Sequence, residues 1–379
     1  MSLRRMKIFL DNNIQAFLEL LRAGLWEKDA GLSQYKDIDL SSIMKLAEEQ
    51  SVVGIVAAGI EHVCDIKPSK EMALKFIGQT LQLEQLNSAM NSFIGDLIWK
   101  LRAKDIYALL IKGQGVSQCY ERPLWRSCGD VDLLLSKDNY NKAKSFLIPL
   151  ATGIGEENID RKHLALTIDS WVVELHGELP CEVSRRADAG VKEVKKSLFE
   201  GGEVRSWMNG NKQVFLPSSD NDAILVFTHI LQHFFFGGIG LRQICDWCRL
   251  LWTYKDSIDK RLLEKRIRSM GLMTEWKAFA ALAVNTLGMP VEAIPMYDTS
   301  RKWTRKADHI LAFILETGNF GHNRDTSYFD NHSYFVSKAI SFWRNTWDSM
   351  RHLGIFPVDA TRVWFKRLAE GIRVAAKGK

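Results

Sequence analysis

Gly129-Asp-Val-Asp-Leu-Leu-Leu135 is the stretch on which the reading of this chain turns. The run Leu133-Leu-Leu135 is apolar on successive residues, as a strand buried on both faces requires. Asp130 and Asp132 are two apart, so on a strand they point to the same face. Two carboxylates side by side repel unless something positive lies between them. A divalent cation meets that need, since Mg²⁺ takes one or two carboxylates together with substrate phosphates. Strand-end carboxylates standing in water are the plain alternative for the pair alone.

Upstream, Ile106-Tyr-Ala-Leu-Leu-Ile111 is a second short apolar run, predicted as a buried strand. Lys112-Gly113-Gln114-Gly115 follows it, then a short helical stretch to Tyr120. Glycines let phosphate oxygens approach the backbone, and a helix start offers free N–H donors. Lys112 at the strand end reads either as a phosphate-facing charge or as a solvated lysine. Downstream, 138–150 is helix-like. Leu164–Ile168 and Trp171–His176 flank Asp169-Ser170, which predicts a hairpin. Glu174 and His176 share one face of the second strand, so Glu174 is available as a third carboxylate. Three acidic groups on adjacent strands facing a glycine turn suit two-metal phosphoryl or nucleotidyl transfer.

Around this centre the chain reads as helical. Apolar spacing predicts helices over 10–25, from Ser41-Ser42 with the serines as N-caps, over 54–63, and over a long 69–104. Beyond a possible strand at Val214-Phe215-Leu216, helices are expected near 220–236, 239–254, 257–269, 273–287 and 303–317. Ser219 with Asp222 resembles a capping box. Segments 181–211 and 318–335 read as mobile loops. The expected organisation is a helical region over 1–104, a mixed α/β core over 105–217 and a helical region over 218–379. The fold class is α+β, a small mixed sheet between helical segments.

The 379 residues carry 46% hydrophobic and 25% charged residues, which excludes a disordered chain, a collagen-like chain or a disulfide miniprotein. Net charge is +6, which does not demand a continuous nucleic-acid groove. Six scattered cysteines suggest no disulfide framework and fit a reducing cytoplasm; Cys245 and Cys248 read as two buried thiols one turn apart. The first residues lack the apolar run of a signal peptide. The most apolar stretch, 223–241, carries His229, Gln232, His233 and several glycines, which argues for a buried helix over a membrane span.

The ordered set Leu110-Ile-Lys-Gly113, Tyr120-Glu-Arg-Pro123, Arg126, Gly129–Leu135 and Val173-Glu-Leu-His176 resembles the nucleotidyltransferase superfamily. More narrowly it is similar to the bacterial uncharacterised nucleotidyltransferase group. The 225–233 helix, Gly240-Leu-Arg-Gln-Ile-Cys-Asp-Trp247 and Gly318-Asn-Phe-Gly321 extend the likeness over most of the chain. The resemblance implies a polymerase-β-like palm. It implies that Asp130, Asp132 and Glu174 bind Mg²⁺ or Mn²⁺, that an NTP is the substrate, and that Gly113 lies under its phosphates. The superfamily usually places Gly-Ser or Gly-Gly in that turn; here Gly115 and, two residues on, Ser117 stand instead. The acceptor does not transfer with the resemblance: small molecule, sugar, peptide and protein stay open, with nucleic acid less expected. The competing reading is a non-catalytic nucleotide-binding or regulatory module on the same fold.

Other residues carry two readings each. Arg126 is either a phosphate ligand or a loop charge. His176 either orients Glu174 and meets substrate, or is a hydrogen-bonded core group. His229 and His233, at i and i+4, either line the cleft or hold zinc with a third ligand that the sequence does not supply. Arg242 either faces the cleft or pairs with Asp246 along its helix. The basic, aromatic segment after Ser341 reads as amphipathic helix packing in preference to an RNA or lipid contact.

Overall fold

Strand β2 (Asp130–Leu135) sits inside a five-stranded sheet of order β1-β2-β5-β4-β3. The other members are β1 (Ala108–Ile111), β3 (Gly153–Ile154), β4 (His163–Ile168) and β5 (Trp171–His176). β2 and β5 run parallel, and the remaining pairs are antiparallel. This is a computed structural model, and it describes residues 11–66, 68–321, 323 and 334–376. The β4–β5 hairpin turns at Asp169 and Ser170, both at positive φ (48° and 70°), as a two-residue turn matched to strand twist requires.

Alternation along β2 assigns two different jobs to its two faces. Val131, Leu133 and Leu135 point to the rear, with Leu164, Leu166, Val173 and Leu175 of the neighbouring strands. The rear is covered by helix α4 (Lys70–Arg102), through Met90, Ile94, Leu97 and Leu101, and by α6 (Lys137–Leu147), through Tyr140 and Ala143. Leu109, Ile111 and Leu134 point forward and join the larger core of the flanking helices. Asp130 and Asp132 occupy this front face above Leu134.

The N-terminal helices are α1 (Asn12–Trp26), α2 (Leu40–Glu49) and α3 (Val53–Glu61). Asp39, not a serine, caps α2: its carboxylate accepts from the backbone N–H of Ser41 and Ser42. α1 and α3 touch backbone to backbone. A Cβ on Gly24 would lie 1.8 Å from the Ile55 carbonyl, and one on Gly59 would lie 1.9 Å from that of Leu20. These helices share a core with the C-terminal ones, and polar bonds cross between them. Arg22 donates to the Thr286 carbonyl, and Gln50 donates to that of Ile314.

After β1 comes the short helix α5 (Gly113–Ser117). Segment 181–211 is not a loop. It holds α7 (Arg185–Phe199), capped by Ser184, and β6 (Val204–Asn209), which pairs with β7 (Lys212–Pro217) in a separate two-stranded sheet. Burial of Ala187, Val191, Val194 and Leu198 at helical spacing explains the order. The helices α8 (Ser219–Phe236), α9 (Leu241–Thr253), α10 (Lys260–Met270), α11 (Met273–Asn285) and α12 (Arg301–Thr317) follow as expected. The expected capping box at the start of α8 does not form. Ser218 is the cap residue without a side-chain bond, and Asp222 is taken instead by Arg205 at 2.6 Å. Most of 318–335 lies outside the described residues. The last helices, α13 (Tyr334–Leu353) and α14 (Pro357–Ala376), pack together and bury Ile355, Phe356, Ala360 and Val363, while Trp343 and Trp347 are exposed. Among the described residues no helix is long and apolar enough to cross a membrane. Cys245 and Cys248 are buried free thiols.

Candidate active site

The parallel register of β2 and β5 sets Asp132 level with Glu174. Carboxylate oxygens of Asp130, Asp132 and Glu174 lie within 4.8 Å of one another. Two basic side chains meet them. Lys112 Nζ donates to Asp132 Oδ1 at 3.0 Å, and His176 Nε2–H donates to the same oxygen at 2.7 Å. His176 also lies 3.4 Å from Glu174 Oε2, and His163 Nε2 donates to that oxygen at 3.1 Å. Lys112 reaches its place from a residue at φ 56°, ψ −146°, a conformation few side chains adopt; Gly113 follows at φ 38°.

Charge in this group is redistributed by its neighbours. Asp132 and then burial push the Asp130 carboxyl above the usual range. Burial opposes ionisation of Asp132, yet the Lys112 ammonium and the His176 ring outweigh it and hold that carboxyl low. Hydrogen bonds from His163 and then His176 hold Glu174 well below the usual carboxylate range. Burial disfavours the charged His176 ring, but its bonds to Asp132 and Glu174 prevail and raise its value. So Asp130 is the least strongly held carboxylate of the three.

Two cavities open beside the trio, and Glu174 alone of the three lines both. One of about 200 Å³ is lined by Lys112, Gly113, Asp130, Asp132 and Glu174, roofed by α8 and α9. The other, about 520 Å³, lies on the β4–β5 side, with Asn158, Arg161, His163 and His176 on its wall. Lys112, Glu174, His229 and His233 line both. His229 and His233 stand with ring centroids 4.3 Å apart. Burial, then the Lys112 charge, pushes His229 far down and His233 down to about 4, so both are neutral at pH 7. Neither belongs to a metal-binding group of three among the described residues.

Gly115 and Ser117 are buried behind the cleft. A Cβ on Gly115 would meet Leu216 at 2.8 Å. Ser117 Oγ donates to Gln114, whose Nε2 donates to Asn87 Oδ1, and Asn87 Nδ2 donates to the Leu124 and Arg126 carbonyls. This buried chain ties α5 and α4 to the loop before β2. Arg126 lines the smaller cavity, but its guanidinium is clamped on Asp246 at 2.5 and 3.0 Å. Of the two readings for Arg242, the helical pair with Asp246 is replaced by this longer-range one; Arg242 lines the smaller cavity and donates to the Ser127 carbonyl at 2.9 Å. Sequence reasoning missed Asp246 as Arg126's partner, Tyr120 as a donor to Asp246 at 2.8 Å, and His163. Hairpin register was the available signal for His163: counted back from Asp169-Ser170, it falls opposite His176.

A mixed sheet with an Asp-x-Asp strand, a third carboxylate on its parallel neighbour and helices on either side is the framework of a nucleotidyltransferase. The profile of the family described as Uncharacterised nucleotidyltransferase matches residues 36–288, two thirds of the chain, and the chain belongs to that family. The match takes in β1 to β5 and every residue of the trio. No curated protein and no solved structure matches the chain. The all-oxygen donor set of Asp130, Asp132 and Glu174 suits a hard divalent cation.

Proposed function

We propose that this protein transfers a nucleoside monophosphate from an NTP to an acceptor hydroxyl, amine or phosphate, with release of pyrophosphate. The convergence of Asp130, Asp132 and Glu174 at the junction of two cavities carries this reading. Asp130, Asp132 and Glu174 hold Mg²⁺ or Mn²⁺, which supplies charge neutralisation at the triphosphate and Lewis acidity at the reacting oxygens.

The chain's own residues do the rest. Lys112 offers a fixed positive charge at the trio, and Gly113 keeps the adjoining turn bare. The smaller cavity takes the phosphates. The larger one, reached past Glu174, takes the remaining substrate. Neutral His229 and His233 line both cavities and add polar groups without adding charge. The Arg126–Asp246 clamp positions the loop that delivers Asp130, and the bond from Asn87 to the Arg126 carbonyl fixes its other side.

A panel of NTPs with Mg²⁺ or Mn²⁺ tests the reading, with pyrophosphate release and the mass of candidate acceptors followed. The expected result is metal-dependent release that Asp132→Asn lowers about a hundredfold or more. Release retained in Asp132→Asn refutes the assignment. NTP binding without turnover in the native protein supports the non-catalytic module instead.

A further inference from the structure

Beside the acidic trio, two imidazole nitrogens aim at one carboxylate oxygen. His163 Nε2 lies 3.1 Å and His176 Nε2 lies 3.4 Å from Glu174 Oε2, and the three donor atoms all lie within 4.8 Å of one another. The arrangement follows from strand register. His163 is directly across from His176, and Glu174, two residues before His176, shares its face. Ala165 opposes Glu174, so no bulky side chain closes the rung.

The two separations from Glu174 Oε2, 3.1 and 3.4 Å, are those of ligands on a common ion. Donors at roughly 2.0–2.2 Å from a metal, with angles of 90–110° at it, stand roughly 3.0–3.5 Å apart. Two imidazoles and one carboxylate with open positions suit Mn²⁺, Fe²⁺, Co²⁺ or Zn²⁺, whereas Mg²⁺ prefers oxygen throughout. The group faces the larger cavity, and the His163 side chain is 33% exposed, so a cation has access.

We infer that His163, Glu174 and His176 form a transition-metal site that shares Glu174 with the Asp130–Asp132 position. The cleft then offers two unlike positions, one all-oxygen toward the smaller cavity and one nitrogen-rich toward the larger. Each ring ligates through Nε2 as a neutral imidazole, which removes the proton now shared with Asp132 or Glu174. The site stands on the geometry of the two rings. Only the role of the larger cavity beside it rests on the transferase reading.

Co²⁺ is the probe, bound to the purified full chain and followed by equilibrium dialysis and by paramagnetically shifted imidazole N–H resonances. Native protein is expected to bind Co²⁺ with two such resonances. His163→Ala is expected to lose one of them and weaken binding at least about tenfold, since removing a ligand costs no less than removing a partner behind it. His163→Gln serves as the second variant if the alanine form is unstable by thermal melt. Asp130→Asn, which lies outside the nitrogen group, is expected to keep both resonances. No shifted imidazole resonance in the native protein, or Co²⁺ affinity unchanged by both His163 variants, overturns the inference. Either result leaves metal-dependent pyrophosphate release, measured separately with Mg²⁺, to stand or fall by itself.

Discussion

Replacing Asp246 by asparagine removes one charge and almost no volume from a buried junction between β2's approach loop and α9. Asp246 is 5% and Arg126 4% exposed. The carboxylate accepts from Arg126 Nη2 and Nε and from Tyr120 Oη, at 2.5, 3.0 and 2.8 Å. Burial disfavours the Arg126 charge, and Asp246 more than restores it. Asparagine keeps one acceptor oxygen, but its amide nitrogen then faces a guanidinium N–H that it cannot accept. Arg126 is left buried without a counter-charge, because its other contact is the uncharged Cys128 thiol at 2.7 Å. Breaking a buried pair from one side costs about 3–5 kcal/mol. Urea unfolding followed by tryptophan fluorescence reads the loss. The triple variant Arg126→Met, Asp246→Leu, Tyr120→Phe removes both charges and the hydroxyl that would be left unpaired, and is expected to recover to within about 1 kcal/mol of the native protein. A loss below about 1 kcal/mol in Asp246→Asn would refute the reasoning. It would mean that the guanidinium finds other partners easily and is free to hold phosphate, as the sequence alone also allows.

Two further outcomes follow from packing and burial. Gly59→Ala places a methyl 1.9 Å from the Leu20 carbonyl, so α1 and α3 must part; urea unfolding is expected to show a loss of about 3 kcal/mol, and native stability would contradict that contact. Burial, then Asp359, pushes the Glu275 carboxyl up to about 8 from an unfolded value of 4.5. The folded state therefore holds this proton where the unfolded state has released it. The contribution of Glu275 to stability is greatest below pH 4.5 and falls as pH rises toward 8, by up to about 1.4 kcal/mol per unit. Glu275→Gln is expected to flatten that slope in thermal melts across the same range, and an unchanged slope would count against it.

What is legible in the sequence is what local pattern encodes. The apolar runs at 106–111 and 133–135, the hairpin at Asp169-Ser170 and the shared face of Glu174 and His176 follow from period-two geometry, and the structure brings Asp130, Asp132 and Glu174 together as that geometry requires. Helix α7 is hidden because its charged residues outnumber four well-spaced apolar ones, although those four carry its burial. The Arg126–Asp246 pair has no local signature, since 120 residues separate its members and Arg242 offers a nearer partner at helical spacing. Ser117 beside the glycine turn looks like a phosphate ligand. Its bond to Gln114 depends on a tertiary network reaching Asn87, which no spacing rule contains.

The strained backbone at Lys112 is explained by the charges it faces. A residue at φ 56°, ψ −146° costs about 1–3 kcal/mol, and glycine would relieve that cost. Against it stands the repulsion within the trio. Two unit charges 4.8 Å apart, the limit of separation here, repel by roughly 3.5 kcal/mol at an effective dielectric of about 20. Three carboxylates make three such pairs, and His176 alone does not balance them. The turn at Lys112 is what brings Nζ to 3.0 Å from Asp132, the most buried acid of the three. The gain from a cation at that point exceeds the strain of placing it, so the lysine is kept where local conformation favours glycine. The same comparison accounts for Asp130, which has neither a lysine nor an imidazole bonded to it, and whose carboxyl, facing Asp132, is accordingly the one pushed upward. A cation entering the smaller cavity meets its greatest unrelieved negative charge there, on the oxygen that the protein itself holds least firmly.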